Sequence, residues 1–284
     1  MQFIDPRTDF AFRKIFGSEE SKEILISFLN NIMDLPEERA ILDLRIMDPY
    51  QLPKIKELKY SILDVKCRDK RGITYVVEMQ LLEVEAFHKR VVYNVCKAYS
   101  SQLPRGSGYP ELHQVVGITI SDFVLFDSLP SGQYISKHLL KEDISNESYL
   151  DEIMFYFVEL PKFTRELKDL ENLTEKWVYF LKHTGNLEVV PKELNVAPID
   201  KAFAIANRSG MSREELETYE KYLMAKQDEI GALKVAERRG IEIGEKRGKE
   251  AIAKKAKKLQ ESGRLTISEI AEITGLSKEE IENF

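Results

Sequence analysis

The chain has 284 residues, a formal net charge of −6 and 43% hydrophobic residues, enough to bury a real core as one large domain or a medium domain plus a small one. No run approaches the ~20 uninterrupted apolar residues of a membrane span, and the N-terminus lacks the basic start and apolar run of a secretory leader. Two cysteines, Cys67 and Cys96, without metal-like spacing argue against a disulfide framework and make a reducing cytoplasm the expected compartment.

In chain order, the spacing of Phe10, Phe12, Ile15, Phe16, Ile24, Leu25, Phe28, Leu29 and Ile32 predicts helix from Asp9 to Met33. Gly17-Ser18 divides it, with Ser18 as N-cap of the second part. Ile41 to Met47 reads as a strand closed by Asp48-Pro49. Tyr60 to Cys67 and Ile73 to Leu82 read as two more, joined by the turn Arg68-Asp69-Lys70-Arg71-Gly72. A three-residue loop, Lys70-Arg71-Gly72 with the glycine left-handed, makes this a hairpin. In that register Asp69 faces Ile73 and Asp64 faces Glu78. A loop one residue shorter or longer breaks the pairing.

Glu83 to Leu103 is the next helix, with Phe87, Val91, Val95, Ala98 and Gln102 on one side. His88, Lys89, Arg90, Asn94 and Lys97 are its polar positions. A Gly/Pro-rich loop spans 104–110. Val115 to Phe126 and Phe155 to Leu160 read as buried strands, so the order indicates an α/β fold, a mixed sheet covered by helices. Beyond Phe163 the pattern is helical: Leu170–Leu181, Pro198–Arg208, and a long amphipathic helix from Ser212 to Arg239, with Ser212 and Glu215 spaced as a capping box. Gly231, Gly240, Gly244 and Gly248 weaken helical propensity, and 240–263 reads as a flexible helical linker. Thr266 to Phe284 reads as a two-helix unit around Thr274-Gly275-Leu276-Ser277, its starts capped by Thr266 or Ser268 and by Ser277 with Glu280.

Charge is uneven. Lys246 to Arg264 carries eight Lys/Arg against two Glu. Lys254, Lys255, Lys257 and Lys258 at its centre form either a solvated helix face or a patch that holds phosphates.

The chemistry-bearing constellation lies on the hairpin. Glu78 and Gln80 are two apart on a strand and so share a side. With Asp64 opposite Glu78, three polar side chains meet among Ile62, Leu63, Val65, Val76 and Val77. Paired carboxylates repel unless a proton or a cation intervenes, and an oxygen-only set suits Mg²⁺ or Mn²⁺. Such an ion lowers the pKa of a bound water and neutralises a phosphodiester, with Gln80 holding the water by a hydrogen bond. The alternative is structural: Asp64 in an ion pair near the turn and Glu78 a solvated strand residue.

Asp64 followed by Glu78-Met79-Gln80 resembles the core of the PD-(D/E)XK nuclease superfamily, and within it the Rpn recombination-promoting nucleases, also called PD-(D/E)XK family transposases. The resemblance extends to Thr8-Asp9-Phe10-Ala11-Phe12-Arg13-Lys14-Ile15-Phe16-Gly17, to Tyr75–Gln80, to Arg90, Tyr93, Gln102-Leu103 and Gly108-Tyr109, and to Val115–Phe126. It implies a restriction-endonuclease-like fold with the nuclease core in residues 1–165, a helical extension over 166–239, the basic linker over 240–263 and a small module over 264–284. It also implies Mg²⁺-dependent endonucleolytic cleavage of DNA, in recombination or in defence against phage and mobile elements. The superfamily pattern usually ends in Lys where this chain has Gln80, which cannot assist a hydroxide by charge; the Rpn group is similar in carrying Gln there.

This resemblance suggests further candidates. Asp9 adds to the metal site from the first helix, or it or Thr8 is a helix cap. Arg90 reaches a phosphate, or pairs with Glu83 or Glu85. Lys14 and Arg13 are lesser candidates for phosphate contact. His88 and His113 have no partners at ligand spacing. The C-terminal unit resembles a miniature helix-turn-helix, although its second helix is acidic (Glu279, Glu280, Glu282) and it lacks the usual third helix. Double-stranded DNA is the expected partner, and a homodimer matches the two-fold symmetry of a duplex.

Overall fold

The apolar run that opens the chain folds as two helices, α1 (Asp9–Phe16) and α2 (Lys22–Ile32). The computed structural model describes residues 2–51, 61–103, 106, 108–130 and 132–282; Tyr60, the expected start of one strand, and most of 104–107 lie outside them. Thr8 caps α1, its side chain accepting from Ala11 N. Ser18 caps a 3₁₀ turn, Glu19–Ser21, through a reciprocal capping box, and this turn leads into α2. Strand β1 (Leu44–Met47) starts later than expected, and β2 (Tyr50–Gln51) pairs with β3 (Ser61–Ile62) in a small separate ladder.

The hairpin of β4 (Val65–Asp69) and β5 (Thr74–Gln80) adopts the register that its loop length dictates. Val65 faces Val77 and Arg68 faces Thr74, and Asp69 N donates to Ile73 O at 3.0 Å. Gly72 closes the loop at φ +86°, where a Cβ would lie 2.7 Å from the His113 ring. At the far end the backbone ladder stops at Val65, and Leu63 and Asp64 leave strand geometry. Asp64 therefore does not pair with Glu78 through the backbone. Its carboxylate reaches across instead and accepts from Met79 N at 2.9 Å.

Next come helix α3 (Phe87–Ser100) and the strands β6 (Val115–Ser121), β7 (Ile135–Leu140) and β8 (Leu150–Glu159). The mixed six-stranded sheet runs β1-β4-β5-β6-β8-β7, with β5, β6 and β8 parallel and the rest antiparallel. β6 is buried along its whole length and β5 along nearly all of it, as expected of central parallel strands covered on both faces. The edge strand β7 has no clear signal in the sequence, because Ile-Ser-Lys-His-Leu-Leu carries no clean alternation and little of it is fully buried. α3 lays Val95 and Ala98 on Leu63, Val76 and Val115. Gly117 makes this close approach possible, since a Cβ there would lie 2.7 Å from Val95 Cγ2.

Helices α4 (Leu173–His183) and α5 (Ile199–Ala206) complete the core. A chain of ring contacts runs from Phe12 through Phe16, Phe28, Trp177 and Phe180 to Phe203 and Phe3, tying α1 and α2 to α4 and α5. The compact unit accordingly runs from Met1 to Tyr219, and a second from Glu220 to Phe284. This division differs from the boundary expected at 165, because α4 and α5 bury their apolar faces against α1 and α2.

Helix α6 (Arg213–Glu261) is continuous where its glycines predict a flexible linker. Each glycine costs about 1 kcal/mol relative to alanine, but the intervening residues are strong helix formers. The pairs Glu242/Lys246, Glu245/Lys249 and Glu250/Lys254 also stand at the favourable i, i+4 spacing. In the second unit, α7 (Ile267–Thr274) and α8 (Lys278–Glu282) bury Ile270 and Ile281 against Ala256 of α6. The C-terminal module is therefore three-helical, with the end of α6 supplying the third helix. Among the described residues no helix is long and apolar enough to cross a membrane.

Candidate active site

A cleft of about 740 Å³ opens at the end of the β4–β5 hairpin, between α1 and the start of α3. Asp9 and Arg13 line it from α1; Asp64 from the bend before β4; Glu78 and Gln80 from β5; Lys89, Arg90, Tyr93 and Asn94 from α3. The sheet brings Glu78 and Gln80 to one side of β5, with α3 overhead.

Glu78 is buried, and Asn94 Nδ2 donates to its Oε1 at 2.7 Å. Burial, reinforced by the charge of Asp64, raises its pKa to about 7, while Asn94 and Arg90 pull the other way. The Asp64 side chain is 10% exposed. Its Oδ2 accepts from Met79 N, and its Oδ1 accepts from Arg13 Nη2 at 3.2 Å. Burial again dominates and raises its pKa to about 6; the Met79 N–H and Arg13 oppose the rise, and the charge of Asp9 adds to it. Two largely enclosed carboxylates on one cleft thus share too little positive charge to be comfortably ionised together.

Thr8 takes the cap of α1, which leaves the exposed Asp9 side chain in the first turn, lining the cleft. Arg90 pairs with neither Glu83 nor Glu85. Its Nη2 donates to Gln80 Oε1 and its guanidinium lies over the Phe87 ring at 5.0 Å. Gln80 Nε2 in turn donates to Leu82 O at 2.7 Å, so both ends of the Gln80 amide are held. Lys14 is not in the cleft; its ammonium pairs with Glu215. Lys254, Lys255, Lys257 and Lys258 line a separate shallow concavity along α6 with Ala251 and Glu261.

Asn94 stands out in the sequence only as a polar position on its helix. The signal that marks it is its place three residues after Val91 on the face that packs inward, where an amide needs a partner. Arg13 looks as weak a candidate as Lys14 in the sequence, although α1 carries it one turn from Asp9 on the same face.

Among the described residues, no three His, Cys, Asp or Glu side chains form a ready-made metal cluster. The pair of Asp64 and Glu78 nevertheless fits a hard divalent cation, which binds through one or two carboxylates and takes its remaining ligands from water and phosphate. Both offer only oxygen, and both are raised first by burial and then by a neighbouring carboxylate, Asp9 for Asp64 and Asp64 for Glu78, a burden that a cation would relieve.

The chain matches the family described as PD-(D/E)XK nuclease family transposase over residues 6–236. No curated protein and no solved structure matches it. The match covers both the hairpin that carries Asp64 and Glu78 and the helices that enclose it, and it fits the mixed sheet with flanking helices of a restriction-endonuclease-like fold. The chain belongs to the PD-(D/E)XK nuclease family transposases.

Proposed function

We propose that the protein is a divalent-metal-dependent DNA endonuclease acting in recombination or in defence against mobile elements, with Asp64, Glu78 and Gln80 as its catalytic residues. The observation that carries this reading is the convergence of a buried carboxylate, Glu78, and a largely enclosed one, Asp64, both raised toward neutrality, on a cleft rimmed by Arg13, Lys89 and Arg90. An enclosed acidic pair is costly to a fold and persists where function needs it.

Asp64 and Glu78 would hold Mg²⁺ or Mn²⁺, with Asp9 supplying negative charge from the cleft wall. The bound cation would supply Lewis acidity, lowering the pKa of water and stabilising charge on the phosphate. Asn94 and the Met79 N–H fix the two carboxylates in place. Gln80, locked by Arg90 and the Leu82 carbonyl, has one Oε1 lone pair left with which to orient a water as acceptor. Lys89 and Arg90 on the rim receive the backbone phosphates, and Tyr93, 40% exposed beside them, offers an aromatic face. The lysines of α6 add contacts that carry no sequence preference. Lys14, engaged with Glu215, contributes none in this arrangement. A dimer would match the two strands of a duplex.

The test is plasmid cleavage with Mg²⁺, comparing the wild type with Asp64→Ala and Glu78→Ala. The reading requires cleavage by the wild type and its loss in both variants. Cleavage that survives in both variants assigns the activity elsewhere. Folded protein that binds DNA without cutting it makes the chain a silent binding protein, the role that the basic stretch of α6 favours. Strand joining, which the family description raises, is read separately from transfer of marked donor ends.

A further inference from the structure

Arg13 holds a position that the proposed chemistry does not use. Its Nη2 donates to Asp64 Oδ1 at 3.2 Å, while Met79 N occupies the other carboxylate oxygen. Both oxygens of Asp64 are therefore engaged by donors that a cation at this carboxylate must share or displace. The Met79 N–H is fixed by β5. The guanidinium is not: its side chain is 41% exposed and lines the cleft from α1. Arg13 is also poorly satisfied where it stands, because its Nε is buried and bonded to nothing among the described residues. A guanidinium has five N–H donors in a fork that matches phosphate oxygens bidentately. One long contact to Asp64 uses little of that capacity.

We propose that Arg13 is a positioning residue that serves as the counter-ion of Asp64 in the free protein and is exchanged for the divalent cation when a DNA phosphate enters the cleft. The inference rests on the metal-nuclease reading of this site and adds a coupling to it. Without a cation, a largely enclosed Asp64 beside Glu78 and Asp9 needs a positive neighbour, and Arg13 is the one in contact. With a cation on Asp64, Arg13 becomes a like charge at short range and its best partner is the phosphate. Metal and DNA then strengthen each other's binding by the same factor, as linkage demands. The arrangement restrains metal loading until substrate is present.

The test is Mn²⁺ binding, monitored by loss of the free-ion EPR signal, with and without a short phosphorothioate duplex that resists hydrolysis. Wild type, Arg13→Gln, Arg13→Lys and Asp64→Asn are compared, each checked for a wild-type melting transition. In wild type the duplex should tighten Mn²⁺ binding by about tenfold, the lower range of typical coupling. Arg13→Gln should bind Mn²⁺ about tenfold more tightly than wild type without DNA, equivalent to about 1.4 kcal/mol, and lose most of the duplex effect. Arg13→Lys keeps the charge and should stay near wild type in free affinity. Arg13→Gln that binds Mn²⁺ no tighter than wild type, while Asp64→Asn abolishes binding, overturns the exchange and leaves the metal site standing. Wild-type affinity in Asp64→Asn, or no binding by the wild type even with the duplex, removes the metal site and the exchange together.

Discussion

Glu78 and Glu159 are both buried glutamates on strands of the same sheet, on either side of β6, and their surroundings are opposite. Glu159, at 1% exposure, accepts from Leu125 N at 2.6 Å and Phe126 N at 3.0 Å, and Lys162 Nζ pairs with it at 2.8 Å. Its charge is matched, and it anchors the chain beyond β6 onto β8. Glu78, at 8% exposure, has Asn94 as its one hydrogen-bond donor among the described residues, and the charge that most perturbs it is another carboxylate. A buried acid with a full set of donors is part of the scaffold. One with a single donor and a like charge beside it is costly to ionise, a cost that the cation proposed for this site would relieve.

Truncating both residues should separate the two roles most clearly. Glu78→Ala should reduce Mg²⁺-dependent cleavage by more than the ~100-fold that is typical of losing a supporting residue, with the fold retained by circular dichroism. Glu159→Ala should do the reverse. It strands Lys162 and two backbone N–H groups, so thermal or urea unfolding should show a loss of about 3–5 kcal/mol, with cleavage per folded molecule retained. Equal loss of stability in the two variants would erase the distinction.

Next in size is Asn94→Ala, which leaves Glu78 without its donor. Cleavage should fall by about 10–100-fold, and Mn²⁺ affinity with it. Unchanged affinity would show that Glu78 is held by packing alone.

A smaller effect is expected in the pH dependence of stability. Asp64 and Glu78 keep their protons to about 6 and about 7 in the folded chain, against about 4 when unfolded. Folded pKa values above the unfolded ones mean a contribution that is fully present below pH ~4 and is lost as pH rises through those folded values. Metal-free wild type should therefore lose stability relative to Glu78→Gln between pH ~4 and ~8, a difference of a few degrees in melting temperature. Mg²⁺ should restore the wild type and do little for the variant. Parallel melting curves across that range would show that the two carboxylates do not repel.

The smallest effect belongs to α6. Gln at Lys254, Lys255, Lys257 and Lys258 should weaken duplex binding uniformly across sequences and lower the salt slope by about one for each phosphate no longer neutralised. An unchanged slope makes these lysines a solvated face.

Features that depend on neighbours along the chain are legible in the amino-acid order. Loop length and Gly72 dictated the hairpin register; Thr8, Ser18, Ser212, Thr266 and Ser277 marked helix or turn starts; the apolar run from Val115 marked a central strand. The nearness of Asp64 and Glu78 was legible for the same reason, because a strand period of two and a three-residue loop leave one solution. Features that depend on groups far apart in sequence come from the packing of the chain. That packing broke the ladder at Asp64 and turned the carboxylate onto Met79 N. It gave Asn94 to Glu78, Arg13 to Asp64, Arg90 to Gln80 and Lys14 to Glu215, and it packed α4 and α5 into the core and the end of α6 into the C-terminal unit. A local pattern shows which residues face inward. Which inward-facing polar group meets which partner is settled only by packing, because each buried donor and acceptor must find its match among whatever the fold brings near.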